Sequence, residues 1–181
     1  MKTISDAYKK ANQEHHKECL RRKTPWGGSV VTLPWFETIV KIAKKHEVVT
    51  ILDYGAGRGV IASKLRRQGY RVTEYDPGVK GKTEKPQGTF DMVISLDVFE
   101  HVEDNYIENA LDEVQAYMDE VGFFTISTRR ATYVLPGGYN AHQTVQEYTW
   151  WRRELVKRFK LLVEAEGRGK QRSVSVQKLS R

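Results

Sequence analysis

Short apolar runs that each end in polar turn residues dominate the hydrophobic pattern of this chain. Val48, Val49, Ile51 and Leu52 form a short apolar run, which is typical of a parallel strand buried on both faces. Tyr70–Pro77 alternates apolar and polar side chains, and Met92–Leu96 forms a further apolar run. The pattern therefore predicts an α/β sheet whose strands end in polar turns.

The remaining periodicity predicts helices on both sides of these strands and further strands near the end of the chain. The predicted helices are Asp6–Arg22, which is very polar, Pro34–Lys45, which is amphipathic, Val60–Gln68 and Asn105–Met118. The remaining strands are predicted at Gly122–Thr128, Leu161–Glu166 and Ser173–Leu179.

The first strand runs into a glycine-rich turn, TILDYGAGRG, at Thr50–Gly59. Gly55, Gly57 and Gly59 let the backbone turn tightly and approach a ligand where a Cβ would collide. The helix that follows directs its free amides at the same turn. The turn predicts a site for a nucleoside-bearing cofactor, and the alternative is a glycine-rich connection without a ligand.

Acidic residues beside this turn indicate which cofactor it binds. Asp53 would repel a bound pyrophosphate but attract an ammonium group, which favours a zwitterionic ligand. Val60 occupies the position where a dinucleotide fingerprint needs glycine or alanine, so a dinucleotide oxidoreductase is disfavoured. Asp76 follows the turn by about twenty residues, the spacing at which an acid reaches ribose hydroxyls. Alternatively, Asp76 only opens a turn before Pro77.

These residues, with the stretch FDMVISLDVFEHVED at Phe90–Asp104, resemble the class I S-adenosylmethionine-dependent methyltransferases. The whole chain is also similar to small methyltransferase-domain proteins found in bacteriophage genomes. The resemblance implies a Rossmann-like three-layer sandwich with a mostly parallel sheet and a C-terminal antiparallel hairpin. The positions that it implies for cofactor binding are Asp53, Gly55, Ala56, Gly57, Asp76, Pro77, Leu96 and Asp97.

The chain departs from that family between Pro77 and Thr89. About a dozen residues stand there in place of a helix, a strand and another helix, and a parallel crossover needs that many by itself. We therefore expect the third strand to be shortened or missing. One domain is expected overall, with residues 1–47 as an N-terminal helical segment and lid, including Trp26-Gly27-Gly28, and residues 48–181 as the methyltransferase core.

Candidate metal and catalytic side chains follow the Met92–Leu96 strand. On one helical turn Asp97, Glu100 and His101 would share a face, and His142 comes later in the chain. The segment is similar to a motif of ubiquinone O-methyltransferases and of 2′-O-methyltransferases of small RNAs, which implies that these four residues hold a divalent ion. Alternatively, Glu100 pairs locally while His101 packs in a helix or acts as a general base.

Either His101 or His142 could remove a hydroxyl proton near neutral pH. The motif that accompanies methylation of an exocyclic base amine is absent from Ser95–Val98, so oxygen or a simple amine is the expected acceptor atom.

The net charge of +7, the basic runs and the pair Trp150-Trp151 would suit RNA, whereas a small-molecule acceptor would leave that charge solvated. A non-catalytic regulatory protein that binds S-adenosylmethionine is a further alternative.

Composition limits the class of protein and its location. The single Cys19 cannot form an internal disulfide, and the sequence has no long apolar run or secretory signal. We therefore expect a cytoplasmic protein without a membrane partner, and the sequence does not predict its oligomeric state.

Overall fold

A computed structural model describes residues 2–22, 33–167 and 170–179 of the chain. Its centre is a six-stranded sheet with the order β2-β1-β3-β4-β6-β5. The strands are β1 (Thr50–Tyr54), β2 (Arg71–Tyr75), β3 (Phe90–Leu96), β4 (Met118–Ser127), β5 (Phe159–Glu166) and β6 (Gln171–Lys178).

Helices precede the sheet and connect its strands. They are α1 (Asp6–Arg22), α2 (Phe36–Lys45), α3 (Val60–Arg67), α4 (Ile107–Tyr117) and α5 (Tyr148–Val156). Short 3₁₀ turns lie at Leu33–Trp35, Phe99–His101 and Asp104–Tyr106. None of the helices in the described part of the chain is long and apolar enough to span a membrane.

The direction of the strands confirms the predicted fold. Strands β2, β1, β3 and β4 pair in parallel, and β6 runs antiparallel between β4 and β5. Residues 76–89, all of which the structure describes, form neither a helix nor a strand, so β2 is an edge strand. The third strand of the resembled family is thus missing, as the shortened segment predicted.

Two apolar cores, one on each face of the sheet, make the molecule a three-layer sandwich. On one face α2 and α3 pack against alternate residues of β1, β3 and β4, such as Ile51, Ile94 and Phe123. On the other face α4 and α5 cover the intervening residues, such as Leu52 and Phe124. Since side chains alternate across a strand, runs buried on both faces must be apolar at successive positions.

The first strand differs from its prediction at its N-terminal end. Val49 is 48% exposed, and β1 begins only at Thr50. The carboxylate of Asp91 accepts hydrogen bonds from the amides of Val49 and Thr50 at 2.8 and 2.7 Å. The prediction that Val48, Val49, Ile51 and Leu52 are buried was therefore wrong at Val49, which precedes the first residue of β1.

Helix α1 lies apart from both cores, over the loop that follows β4. Tyr8 and Ala11 of α1 pack with Leu135 and Ala141 in a small separate cluster. The Tyr8 hydroxyl, which is fully buried, donates a hydrogen bond of 2.6 Å to the carbonyl of Ala141. The predicted lid residues Trp26-Gly27-Gly28 lie outside the described residues.

Candidate active site

A cavity of about 1140 Å³ opens at the carboxyl ends of the parallel strands. Ligands of open α/β sheets bind at this edge, and pockets for single small ligands measure about 300–1,000 Å³. Every residue predicted for cofactor, catalysis or metal lies on its wall: Asp53, Gly55, Ala56, Gly57, Asp76, Pro77, Leu96, Asp97, Glu100, His101 and His142. The cavity thus joins the glycine turn to the histidine residues.

The glycine turn after β1 is fixed by its own neighbours. The amides of Gly55 and Ala56 donate to the carbonyl of Tyr75 at 2.8 and 3.1 Å. Gly55 has a φ of 80°, and a Cβ there would lie 2.3 Å from a methyl carbon of Val98. Glycine is therefore required at this position by backbone conformation and by packing against Val98.

Asp76 is oriented by backbone amides at the end of β2. Its two carboxylate oxygens accept hydrogen bonds from Gly57 and from Gly78, each at 2.8 Å. The side chain is 9% exposed and lines the cavity. Since a carboxylate has about four lone-pair sites, these bonds leave acceptor capacity for a ligand.

Asp53 is almost fully buried at the end of β1, with 3% of its surface exposed. Burial, and then the nearby charge of Glu74, raise the pKa of Asp53 to about 7. Glu74 forms ion pairs with Lys82 at 2.5 Å and with Arg66 at 2.8 Å. A cation that entered the cavity beside Asp53 would favour its charged form.

Asp97 does not share a helical face with Glu100 and His101, so that prediction was wrong. It precedes the 3₁₀ turn in a left-handed conformation, with a φ of 55°. Its amide donates to the carbonyl of Thr125 at 3.0 Å, which ties it to the neighbouring strand. Its carboxylate accepts hydrogen bonds from Gln171 Nε2 at 2.6 and 2.7 Å and from the Thr125 hydroxyl at 2.9 Å.

Glu100, His101 and His142 come together even though the last is far away in the sequence. Each offers a ligand atom, and these atoms lie within 4.8 Å of one another. Glu100 is fully buried, and its Oε1 accepts from the amide of Ser127 at 3.0 Å. Its Oε2 has no hydrogen-bond partner in the described part of the chain. Buried polar atoms are rarely unpaired, so this oxygen is available to a ligand.

Backbone carbonyls fix the tautomers of both histidine residues. The Nδ1 of His101 donates to Ala141 at 2.7 Å, and that of His142 donates to Arg129 at 2.5 Å. Each ring therefore keeps Nε2 as an acceptor when neutral. Burial, and then the neighbouring His142, lower the pKa of His101 to about 3, and burial also lowers the pKa of His142.

The N-terminal helix contributes cavity residues that sequence reasoning missed. Asn12 and His16 of α1 line the cavity beside Gly78, and His16 Nδ1 donates to the Gly78 carbonyl at 3.0 Å. Tyr8 lines the same wall. The polar character of Asp6–Arg22 was the available signal, because a helix that faces a polar cavity has little apolar surface to bury.

Other missed residues follow β4 or begin β6. Arg129 and Arg130 line the cavity, as does Gln171, which holds Asp97. Arg129 and Arg130 follow the end of a predicted strand, and ligands bind at that edge of the sheet. Their position in the sequence could therefore have identified them. Nothing local marked Gln171, because its partner is 74 residues away in the sequence.

The basic runs considered for nucleic acid, Arg152-Arg153, Lys157-Arg158-Lys160 and Arg168–Arg172, are engaged in part within the protein. The tryptophan pair is divided, with Trp151 fully buried and Trp150 partly buried against the same core. The ion pairs join Arg152 to Glu164, Lys157 to Glu154 and Glu108, Arg158 to Asp112 and Arg172 to Glu166.

The sheet order, the glycine turn and the acids that end β1 and β2 define a Rossmann-like fold of the kind that binds nucleoside cofactors. A family profile described as "Methyltransferase domain" matches residues 30–166. The chain therefore belongs to this family of methyltransferase domains. No curated protein matches the sequence.

Solved methyltransferase structures share the fold at low sequence identity. A 1,6-didemethyltoxoflavin-N1-methyltransferase from Burkholderia thailandensis has a TM-score of 0.73 at 15% identity, over 99% of this chain and 92% of its own. Magnesium protoporphyrin IX methyltransferase from Synechocystis PCC 6803 has a TM-score of 0.66 at 14% identity, over 94% and 98%. The N-methyltransferase NodS from Bradyrhizobium japonicum WM9 has a TM-score of 0.65 at 14% identity, over 94% and 100%. All three were solved with S-adenosylhomocysteine bound.

Proposed function

We propose that this protein is an S-adenosylmethionine-dependent methyltransferase that methylates an oxygen or a simple amine of a small acceptor. The observation that carries the proposal is the single cavity shared by Asp53, the glycine turn and Asp76 on one side and by Glu100, His101 and His142 on the other. Its volume exceeds the usual range for one small ligand, which leaves room for both cofactor and acceptor.

The cofactor would be held by the two acids and the turn between them. Asp53, buried at the end of β1, suits the ammonium group of the amino-acid moiety. Asp76, oriented by Gly57 and Gly78, has lone pairs left for the ribose diol. Leu96 at the end of β3 adds an apolar side chain to the wall of the cavity, and Asn12 and His16 line the cavity from α1.

Methyl transfer from a sulfonium needs mainly an aligned acceptor and a site that excludes water. An acceptor hydroxyl also benefits from a group that takes its proton. The Nε2 of each histidine can accept a proton, and His142 is the better placed of the two because it is less buried. His101 is held between the Ala141 carbonyl and the His142 ring, whose centroid is 4.8 Å away.

A divalent ion fits Glu100, His101 and His142. The unpaired Glu100 Oε2 and the neutral imidazoles form a mixed oxygen and nitrogen donor set, which suits a transition ion better than magnesium. Asp97 is not among the residues whose ligand atoms lie within 4.8 Å of one another, and its carboxylate is directed at Gln171 and Thr125. A bound ion would act as a Lewis acid on the acceptor oxygen. Unchanged turnover after EDTA treatment would reject the metal and leave His142 as the base.

A small acceptor is favoured over RNA because four side chains of the basic runs, Arg152, Lys157, Arg158 and Arg172, are paired with acids. Paired surface charges leave a weaker field for a polyanion. Binding of RNA at low salt that weakens steeply as salt rises would contradict this assignment.

The proposed function is tested in two stages. Calorimetry with S-adenosylhomocysteine should give saturable binding that is lost in Asp76→Ala and kept in Glu84→Gln, an exposed position in the same loop. A radiolabelled methyl-transfer screen over metabolite and RNA pools should then yield a methylated product. Binding without any product would favour the alternative, a regulatory protein that binds the cofactor without transferring its methyl group.

A further inference from the structure

Two adjacent arginine residues reach the cavity with side chains that form no ion pair or hydrogen bond within the described residues. Arg129 and Arg130 follow the end of β4, are exposed and line the cavity. Neither side chain forms an ion pair or a hydrogen bond with any residue in the described part of the chain. By contrast, Lys82, which donates to the carbonyl of Gly57, and Arg172, which follows Gln171, are each paired with a glutamate.

The backbone that carries these arginine residues is held in place from the opposite loop. The Arg129 carbonyl accepts the hydrogen bond from His142 Nδ1. The Asn140 side chain pairs with both backbone groups of Ala131, at 3.2 and 3.0 Å. The backbone that carries Arg129 and Arg130 is therefore held on both sides, beside the cavity that these residues line.

Their position separates them from the part of the cavity assigned to the cofactor. The acids Asp53 and Asp76 lie at the ends of β1 and β2, whereas the arginine residues lie after β4 and beside His142. Tyr133 follows on the same loop, and its ring stacks on His15 of α1 with centroids 5.1 Å apart and planes 12° apart. Two arginine cations without ion pairs thus lie on the loop that also carries Tyr133, whose ring pair with His15 joins this loop to α1.

We propose that the acceptor carries an anionic group, a carboxylate or a phosphate monoester, which Arg129 and Arg130 bind. This inference rests on the proposed function, since it describes the acceptor of that reaction. Guanidinium groups present paired donors that match the oxygens of both anions, and two adjacent like charges bind an anion more favourably than either alone. The anion anchors the acceptor while its hydroxyl or amine faces the histidine residues.

Ligand-observed NMR on protein saturated with S-adenosylhomocysteine tests the anion preference directly. The probes are 4-hydroxybenzoate, its neutral amide 4-hydroxybenzamide, and phenyl phosphate with phenol as its neutral counterpart. We expect at least one acid to bind ten-fold or more tightly than its neutral counterpart. The preferred acid identifies the anion as carboxylate or phosphate.

Variants assign the preference to the arginine residues. The double substitution Arg129→Gln with Arg130→Gln should remove the preference for the acid, while Arg153→Gln, an exposed arginine of α5 outside the cavity, should preserve it. Equal affinity for acid and neutral probe, no binding of either acid at millimolar concentration, or a preference that survives in the double variant would overturn the proposal. Single-stranded RNA that binds through these arginine residues while the small acids do not would overturn it too.

The cofactor measurement distinguishes this inference from the proposed function. If S-adenosylhomocysteine binds to the wild type and to the double variant equally but no acid is preferred, only the assignment of the acceptor fails. If S-adenosylhomocysteine does not bind to the wild type, the proposed function itself fails.

Discussion

The side-chain amide of Gln171 holds both carboxylate oxygens of Asp97, at 2.6 and 2.7 Å from a single nitrogen. Asp97 ends β3 and Gln171 begins β6, so the bond crosses over β4 at the mouth of the cavity. Burial raises the pKa of Asp97, whereas Gln171 and Thr125 counteract the shift. This contact directs the Asp97 carboxylate toward β4 and β6 rather than into the group formed by Glu100, His101 and His142.

Substitution of Gln171 tests how much this contact contributes. Gln171→Ala leaves the Asp97 carboxylate with one side-chain partner, and leaving a buried polar group short of partners costs about 1–3 kcal/mol. We expect a loss of that size in the free energy of unfolding, measured by urea denaturation. Gln177→Ala, on the same strand but outside the cavity, should lose less, and equal losses would show that the contact contributes nothing specific.

Gly55→Ala should destabilise the protein by several kcal/mol and remove S-adenosylhomocysteine binding. The new Cβ would lie 2.3 Å from a carbon of Val98, and the residue would also keep a φ of 80°. Gly69→Ala is the matched control, because Gly69 has a φ of 94° but open space around it. It should cost only about 1 kcal/mol of backbone strain. Thermal unfolding and calorimetry measure both effects, and the clash is refuted if the two variants lose the same stability.

Cofactor affinity should depend on pH through Asp53. Its pKa of about 7 in the ligand-free protein means that it is largely protonated at pH 6 and charged at pH 8. Because the ammonium group of the ligand needs the carboxylate, the dissociation constant for S-adenosylhomocysteine should rise about ten-fold from pH 8 to pH 6. Calorimetry across this range measures the change, which should disappear in Asp53→Asn.

The stability of the ligand-free protein should change with pH in the opposite sense. The folded pKa of Asp53 lies above its ordinary value of 3.8, so the folded protein holds a proton that the unfolded chain has already lost between about pH 4 and pH 7. This contribution to stability is complete below pH 4 and disappears as the pH rises through 7. At pH 8 Asp53→Asn should therefore have a larger free energy of unfolding than the wild type. Urea denaturation of both proteins at pH 5 and pH 8 measures this difference. A less stable Asp53→Asn at pH 8 would contradict the prediction.

Tyr8→Phe should loosen helix α1 and disturb the histidine site beneath it. The Ala141 carbonyl accepts hydrogen bonds from both Tyr8 and His101, so it links the helix to the site. Loss of this buried bond should cost about 0.5–1.5 kcal/mol and speed amide hydrogen exchange across α1. Tyr117→Phe removes a hydroxyl that has no hydrogen-bond partner in the described residues and serves as the control. Unchanged exchange in Tyr8→Phe would show that other contacts hold the helix.

Local patterns in the sequence determined the sheet, the glycine turn and the missing third strand. Buried strands need apolar residues at successive positions, and the turn after β1 needs glycine at positive φ, so both features can be recognised from neighbouring residues alone. The length of the segment between β2 and β3 likewise predicted that the third strand is missing, because a crossover with an additional strand does not fit into so few residues.

Only the tertiary structure decided which candidate side chains meet. His142 joins Glu100 because the loop after β4 folds back over the 3₁₀ turn, where the amides of Gln143 and Thr144 donate to the Glu100 carbonyl. Asp97 leaves that group because β6 brings Gln171 beside it, and α1 closes the cavity from the far end of the chain. Such contacts join residues 40 or more positions apart, so the periodicity of a local segment cannot predict them.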